Sequence, residues 1–343
     1  MDAQAPLIVR IAPDSGRTGV TPKEVIFRFD EVVSERPSGI PSLTGLFLIS
    51  PRDGEPRVDW NRNEIAVRPR RGWKSNTAYT ITLLPGLSDL RGNIRNTGTV
   101  TTFATGSTIP PGRISGTLFN WPEGRIIQRA LVEARPVSDT TLVYVTNTDS
   151  AGRFAIMNLP AAEYNVRGIA DDNSNRSLDP REPWDSVSIQ LADSATIEIL
   201  AFVHDSIGAR LLAVSLRDSI TIELLFDNPL SVTTPLAAAN VRVRQPDSTD
   251  VPILSLAPPP VDTTIAVSRR PSRPPPPRSI IVKLGQQLRP RTDYRIIVTD
   301  ARNLIGIARS SERTFSVPAP PAVTPSTPPP PPPPPPAAAP ARR

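Results

Sequence analysis

The chain has 343 residues, of which 43 are proline and none is cysteine, and its formal net charge is +6. So much proline leaves little room for long helices, and the missing thiols exclude disulfides, thiolate catalysis and zinc-thiolate sites. The positive charge is modest for this length and aromatic residues do not interleave with arginine, so a nucleic-acid surface is not expected.

Runs of five to nine residues rich in Val, Ile, Thr, Leu, Phe and Tyr, punctuated by Gly, Pro, Asn, Asp and Ser, point to an all-β protein built from sandwiches. No stretch is long and apolar enough to span a bilayer. Met1 is followed by Asp2-Ala3-Gln4-Ala5-Pro6, without a basic n-region or an apolar h-region. The chain as given therefore reads as the trimmed form of an exported protein, as one whose start was assigned downstream of a signal, or as a cytoplasmic protein.

The first module spans residues 7–106. Leu7 to Pro13 reads as an edge-like strand stopped by proline, and Val25, Phe27 and Phe29 alternate with polar neighbours as a half-buried strand should. Short strands follow at 46–51 and 64–69, then Tyr79, Ile81 and Leu83 share one face, and residues 101–105 close the module. The segments Pro13-Asp14-Ser15-Gly16, Phe27 to Val33, Leu48-Ile49-Ser50-Pro51, Asn76-Thr77-Ala78-Tyr79, Asp89-Leu90-Arg91-Gly92-Asn93 and Phe103-Ala104-Thr105-Gly106 resemble the bacterial Ig-like domain of the S-layer (SbsA) type. That resemblance implies a non-catalytic sandwich spacer of an exported, cell-envelope or outer-membrane-associated protein, for which a lipoprotein anchor is one attachment route.

The second module, 112–205, has strands around Ile114, Val132, Val143, Ile156, Val166 and Ile189, with Phe154, Ile156, Tyr164 and Val166 as core candidates. It resembles the transthyretin-like, carboxypeptidase-regulatory type of sandwich. Ala162 stands where that type usually has glycine before its Glu-Tyr or Thr-Tyr pair, which bears on the shape of one turn. The third module, 208–318, repeats the first: Ile220 to Asp227 parallels Val25 to Asp30, and Arg291 to Val298 parallels Asn76 to Leu83. Two copies flanking a different sandwich suggest a rod of modules, a monomer, rather than one globular enzyme. A Pro/Arg-rich insertion at 258–278 reads as an exposed loop, and residues 319–343 read as a disordered polyproline tail.

One stretch has the spacing of specific chemistry. Asp171, Asn173, Asn175, Ser177 and Asp179 place oxygens at alternate positions, and Glu182 closes a twelve-residue run, the ligand pattern of a calcium loop. Arg176 stands where an EF-hand loop has its glycine, and the flanks read as strands rather than helices. The same residue types also make ordinary turns by bonding their own backbone. Structural Ca2+ is thus the one cofactor the sequence suggests.

His204 is the sole histidine and lies at a module end, and pairs such as Asp30-Glu31 sit at strand ends where solvated carboxylates are ordinary, so no enzyme is expected. The alternative to a spacer is a carbohydrate-binding or adhesion protein that uses exposed tryptophans among Trp60, Trp73, Trp121 and Trp184. Its partner would be a glycan or another envelope protein.

Overall fold

The computed structural model describes residues 4–40, 42–260 and 270–319, and these are almost wholly strand and turn. The expected tail therefore lies, apart from Ala319, outside the described residues, as does the middle of the 258–278 insertion. No helix among the described residues is long and apolar enough to cross a membrane.

Alternation of apolar and polar residues builds the first unit from β1 (Ile8–Ala12), β2 (Val25–Phe29), β3 (Phe47–Ser50), β4 (Arg57–Asn61), β5 (Glu64–Arg68), β6 (Ala78–Leu83) and β7 (Thr99–Ala104). A sheet of order β1-β2-β5-β4 faces a sheet of order β3-β6-β7. Between them Val25, Phe27, Phe29, Ile65, Tyr79, Ile81 and Leu83 are buried, each Phe or Ile contributing roughly 1.5–3 kcal/mol of apolar burial. β1 is an edge strand, as its terminal proline suggests. β4 was not foreseen: its inward residues Val58 and Trp60 alternate with Arg57, Asp59 and Asn61 on an edge where only half burial is needed.

The middle unit consists of β8 (Gly112–Asn120), β9 (Arg125–Ile126), β10 (Leu131–Pro136), β11 (Tyr144–Asn147), β12 (Arg153–Leu159), β13 (Ala162–Ile169), β14 (Trp184–Leu191) and β15 (Ser194–Ala201). One sheet runs β11-β10-β13-β14; the other runs β12-β8-β15, with β9 on β8 and β15 parallel to β8. Phe154, Ile156, Tyr164 and Val166 lie in its core as expected. Burial pushes the Tyr144 phenol up to about 12.

The last unit comprises β16 (Leu211–Asp218), β17 (Thr221–Phe226), β18 (Val241–Arg244), β19 (Asp250–Val251), β20 (Ile253–Ala257), β21 (Ser279–Leu284), β22 (Asp293–Arg302) and β23 (Ala308–Ser316). Its sheets, β16-β17-β21-β20 and β19-β18-β22-β23, repeat the strand order of the first unit with one short strand added. The correspondence reaches a buried hydrogen bond. The Tyr79 hydroxyl accepts the Lys74 amide at 2.7 Å, and the Tyr294 hydroxyl accepts the Arg289 amide at 2.8 Å, both across five residues. In this register the β20–β21 connection, of which residues 261–269 lie outside the described residues, is the counterpart of the tight β4–β5 hairpin.

Removing either tyrosine hydroxyl leaves a part-buried amide without its acceptor. Tyr79→Phe and Tyr294→Phe should each lower stability by about 1–3 kcal/mol, measured by urea denaturation, and each should move only the transition of the unit that carries it. A shared response of both units to one substitution would contradict the repeat.

Candidate functional site

The connection from β13 to β14 carries the calcium-like run. Its carboxylates and side-chain amides are engaged by the chain itself, while Ser177 contributes its backbone amide. The Asp171 carboxylate accepts the amides of Asn175 at 3.0 Å and Arg176 at 2.9 Å. Asn173 and Asn175 close turns on the amides two residues ahead, and both donate their side-chain amides to Asp179 Oδ2, at 2.7 and 3.0 Å. Glu182 is buried and brackets the loop by accepting the Asp172 and Asp179 amides at 3.2 and 3.0 Å. Leu178 turns inward onto the apolar cluster of Leu48, Leu131, Val145 and Ile169. The Asp171 carboxyl is pushed up by burial, against the pull of these amides and of Arg176 and Arg52. No three His, Asp or Glu side chains among the described residues come together as they would around a metal ion.

Arg176 has a φ of 56°, the left-handed turn that favours glycine at that point of a calcium loop. Arginine is explained by where its side chain goes. Its guanidinium donates to the carbonyls of Phe47 at 2.8 Å and Gly45 at 2.6 Å, both in the first unit, and Arg52 of that unit donates to the Arg176 carbonyl at 2.7 Å. The loop is therefore a clasp between units.

Beside the clasp, Arg52 also pairs with Glu133 on β10, which has no exposed surface and receives Arg167 at 2.7 Å and Arg135 at 3.1 Å as well. Burial alone would push the Glu133 carboxyl up; Arg52, Arg167 and Arg135 outweigh it and hold the carboxyl below its usual range. Burial likewise lowers Arg52. Backbone joins the contact, with the Arg52 amide on the Val143 carbonyl at 2.8 Å and the Val145 amide on Ser50 Oγ at 2.9 Å. Lys74 reaches Thr141 at 2.8 Å, and Asn158 reaches Thr80 at 3.0 Å. Neither Glu133 nor Arg52 was singled out from the sequence. The available signal was that β10 and its neighbours are apolar on both faces: Val132, Ala134 and Val166 inward, Leu131, Val145 and Ile169 outward.

The junction of the middle and last units is built differently. Phe119, Trp121 and Leu200 pack with Ile126, Phe202 and Leu304. The described part of the insertion lies across this junction: Trp121 Nε1 donates to the Pro274 carbonyl at 2.9 Å, Ser272 binds Glu198, and Pro276 is buried. Apart from Pro276 the described residues of the insertion are exposed or half-buried, as expected of a loop, while Pro274 and Ser272 also make these contacts with the middle unit. A cavity of about 220 Å³ opens beside it, walled by Pro122, Phe202, Pro229 and Leu304 with Asp205 and Asp227. Those two carboxylates already hold Ile207, Asn228 and Arg210.

His204 stacks between Trp184 and Phe202, with ring centroids 4.0 and 4.2 Å away, and its Nδ1 faces the Phe202 carbonyl at 3.1 Å. Burial lowers its pKa. The four tryptophans form no exposed strip. Trp60 and Trp73 pack on the core of the first unit, Trp121 is buried, and Trp184 joins the cluster under the clasp. Trp60, Trp73 and Trp184 are half-buried and Trp121 is buried, so the exposed tryptophans on which the alternative reading relied are not found.

Breaking the Glu133 cluster should be costly. Glu133→Gln leaves three guanidiniums without their shared carboxylate, and an expected loss of about 3–5 kcal/mol should appear in chemical denaturation of the intact chain. The depressed carboxyl contributes fully above its unfolded value of about 4.3, and that contribution fades as pH falls through the lower native value. Asp171, raised in the native state, acts in the opposite sense, its contribution fading as pH rises through the raised value. The variant should therefore lose the acid-side slope that Glu133 gives the native protein; an unchanged slope and stability would refute the assignment.

No curated protein sequence matches the chain. Among solved structures it is similar to the N-terminal part of the bacterial S-layer protein SbsC, at 14% identity over 32% of this chain and 24% of that one, with a TM-score of 0.23. It is also similar to the TIE protein of Bacillus anthracis, at 11% identity over 93% and 56% with a TM-score of 0.19. A third likeness is to BcpA, the major pilin subunit of Bacillus cereus, at 9% identity over 55% and 67% with a TM-score of 0.21. The chain thus spans about a quarter and about half of the first two. Residues 2–105, the first unit of the chain, match the family model of a bacterial Ig-like domain.

Proposed function

We propose that this protein is a non-enzymatic, exported scaffold of the bacterial cell envelope, in which sandwiches in series hold a bound partner, an envelope protein or glycan, at a set distance. The observation that carries this reading is the joint between the first two units. A buried carboxylate shared by three guanidiniums, a backbone bond from Arg52 to Val143, the Val145 amide on Ser50 Oγ and an arginine clasp fuse two sandwiches that a flexible linker would leave free, as a spacer requires. The match of residues 2–105 to the model of a bacterial Ig-like domain supports it further. We read 7–106, 112–205 and 208–318 as the units, the middle one transthyretin-like and the last a second Ig-like copy. The shared strand order of the first and last supports that division. His204, held in a stack of rings, favours a structural over a catalytic role for the sole histidine.

Fractionation of cells producing the protein from its native gene should recover it with the envelope. Recovery wholly with cytosolic proteins would sink the export reading.

As a second reading we propose that Ca2+ stabilises the loop of Asp171, Asn173, Asn175, Ser177, Asp179 and Glu182. Two features favour it: the twelve-residue oxygen spacing and the left-handed turn at Arg176. Binding requires Asp179 to exchange its two amide donors for the ion. Millimolar calcium should raise the melting temperature of the intact chain by a few degrees, and Asp179→Asn should abolish the rise. No shift, or an equal shift in the variant, would leave the loop a clasp held by hydrogen bonds alone.

A further inference from the structure

The outer face of the β11-β10-β13-β14 sheet carries a row of donors where the first unit stops covering it. Strand register puts Glu133 opposite Arg167 and Arg167 opposite Ser186, while Arg135 lies opposite Asn165 and Asn165 opposite Ser188. Period-two alternation brings all six to one face. Glu133, fully enclosed, is shared by Arg52, Arg135 and Arg167, which leaves two positive charges without a carboxylate of their own. Asp171 acts on Arg52 but accepts from the Arg176 and Asn175 amides as well. Glu163, the next carboxylate along this face of β13, is exposed and forms no ion pair among the described residues.

The two middle-unit arginines keep accessible surface, 39% for the Arg135 side chain and 27% for Arg167. Yet the Nε–H of each is buried with no acceptor among the described residues. A buried guanidinium donor left unpaired costs free energy, and a planar or tetrahedral oxyanion matches the guanidinium fork. The Ser186 and Ser188 hydroxyls supply neutral donors alongside, and the Asn165 amide, which donates to Ser188 Oγ at 3.5 Å, has a second N–H.

We infer that Arg135 and Arg167, with Ser186, Ser188 and Asn165 beside them, form a binding site for an oxyanion, a carboxylate, sulfate or phosphate group, on the outer face of the middle unit next to the first joint. An occupant there neutralises the surplus charge of the Glu133 cluster without displacing Glu133. This inference is independent of where the protein resides.

The intact chain is titrated at fixed ionic strength with inorganic phosphate and with alginate, a polymer of carboxylate-bearing sugars, and binding is followed by calorimetry. Arg135→Gln, the more exposed of the pair, is compared with Arg242→Gln, an exposed arginine of the last unit, with circular dichroism verifying that both variants fold. Binding of phosphate or alginate weakened at least about tenfold by Arg135→Gln and unchanged by Arg242→Gln is expected. Binding of both probes assigns the site to an oxyanion of either source, and binding of alginate alone assigns it to an anionic polymer. No binding of either probe, or equal weakening by the two substitutions, overturns the proposal.

Discussion

The carboxylate of Glu133 governs how the first two units stand. It has no contact with solvent, so it can stay charged only because guanidiniums from both units surround it. Arg52 comes from the segment after β3, while Arg135 and Arg167 come from neighbouring strands of the middle unit. Satisfying one buried charge therefore needs both sandwiches in place. Taking the carboxylate away leaves three guanidiniums without their shared partner, and separating the units takes Arg52 from it, which makes the contact specific even where its net contribution to stability is small.

The clasp at Arg176 follows the same logic. An Asp/Asn-rich loop turns tightly, its side chains spent on its own amides and on each other, and thereby holds a left-handed residue in position. With glycine that turn would be easier but would reach nothing. With arginine it spans to two carbonyls of the first unit, and Arg52 returns a bond to the Arg176 carbonyl. Loop rigidity and joint rigidity are thus one property. The second junction relies on apolar packing of Phe119, Trp121 and Leu200 and on a proline-rich strap, with little buried charge. It also holds the cavity of about 220 Å³, so the two joints resist bending by different means.

Much of the fold was legible because burial and strand period coincide. Val25, Phe27 and Phe29, and Tyr79, Ile81 and Leu83, are all core residues, and the echo of the first module in the last reappears as a common strand order. Edge strands were harder to read. β16 carries Leu212 and Leu225-facing residues at a partly exposed rim, and β4 needs only Val58 and Trp60 to hold it, so neither stands out from turn sequence. Of the candidate site, the spacing from Asp171 to Glu182 was visible in full. Its principal contact was not, because Arg176 reads as a misfit until its partners in the first unit are known.

The sequence by itself determined the local matters: an all-β chain, the strands with clean alternation, a repeat of the first module, and a tight oxygen-rich loop. Those follow from side-chain period and turn chemistry, which act over a few residues. Only the tertiary structure decided that Glu133 is buried, that the tryptophans are packing residues, and that the proline-rich insertion straps one unit to the next. Each depends on which outer face of one sandwich meets another, and pairings between residues 81, 129 or 153 positions apart leave no periodic trace along the chain.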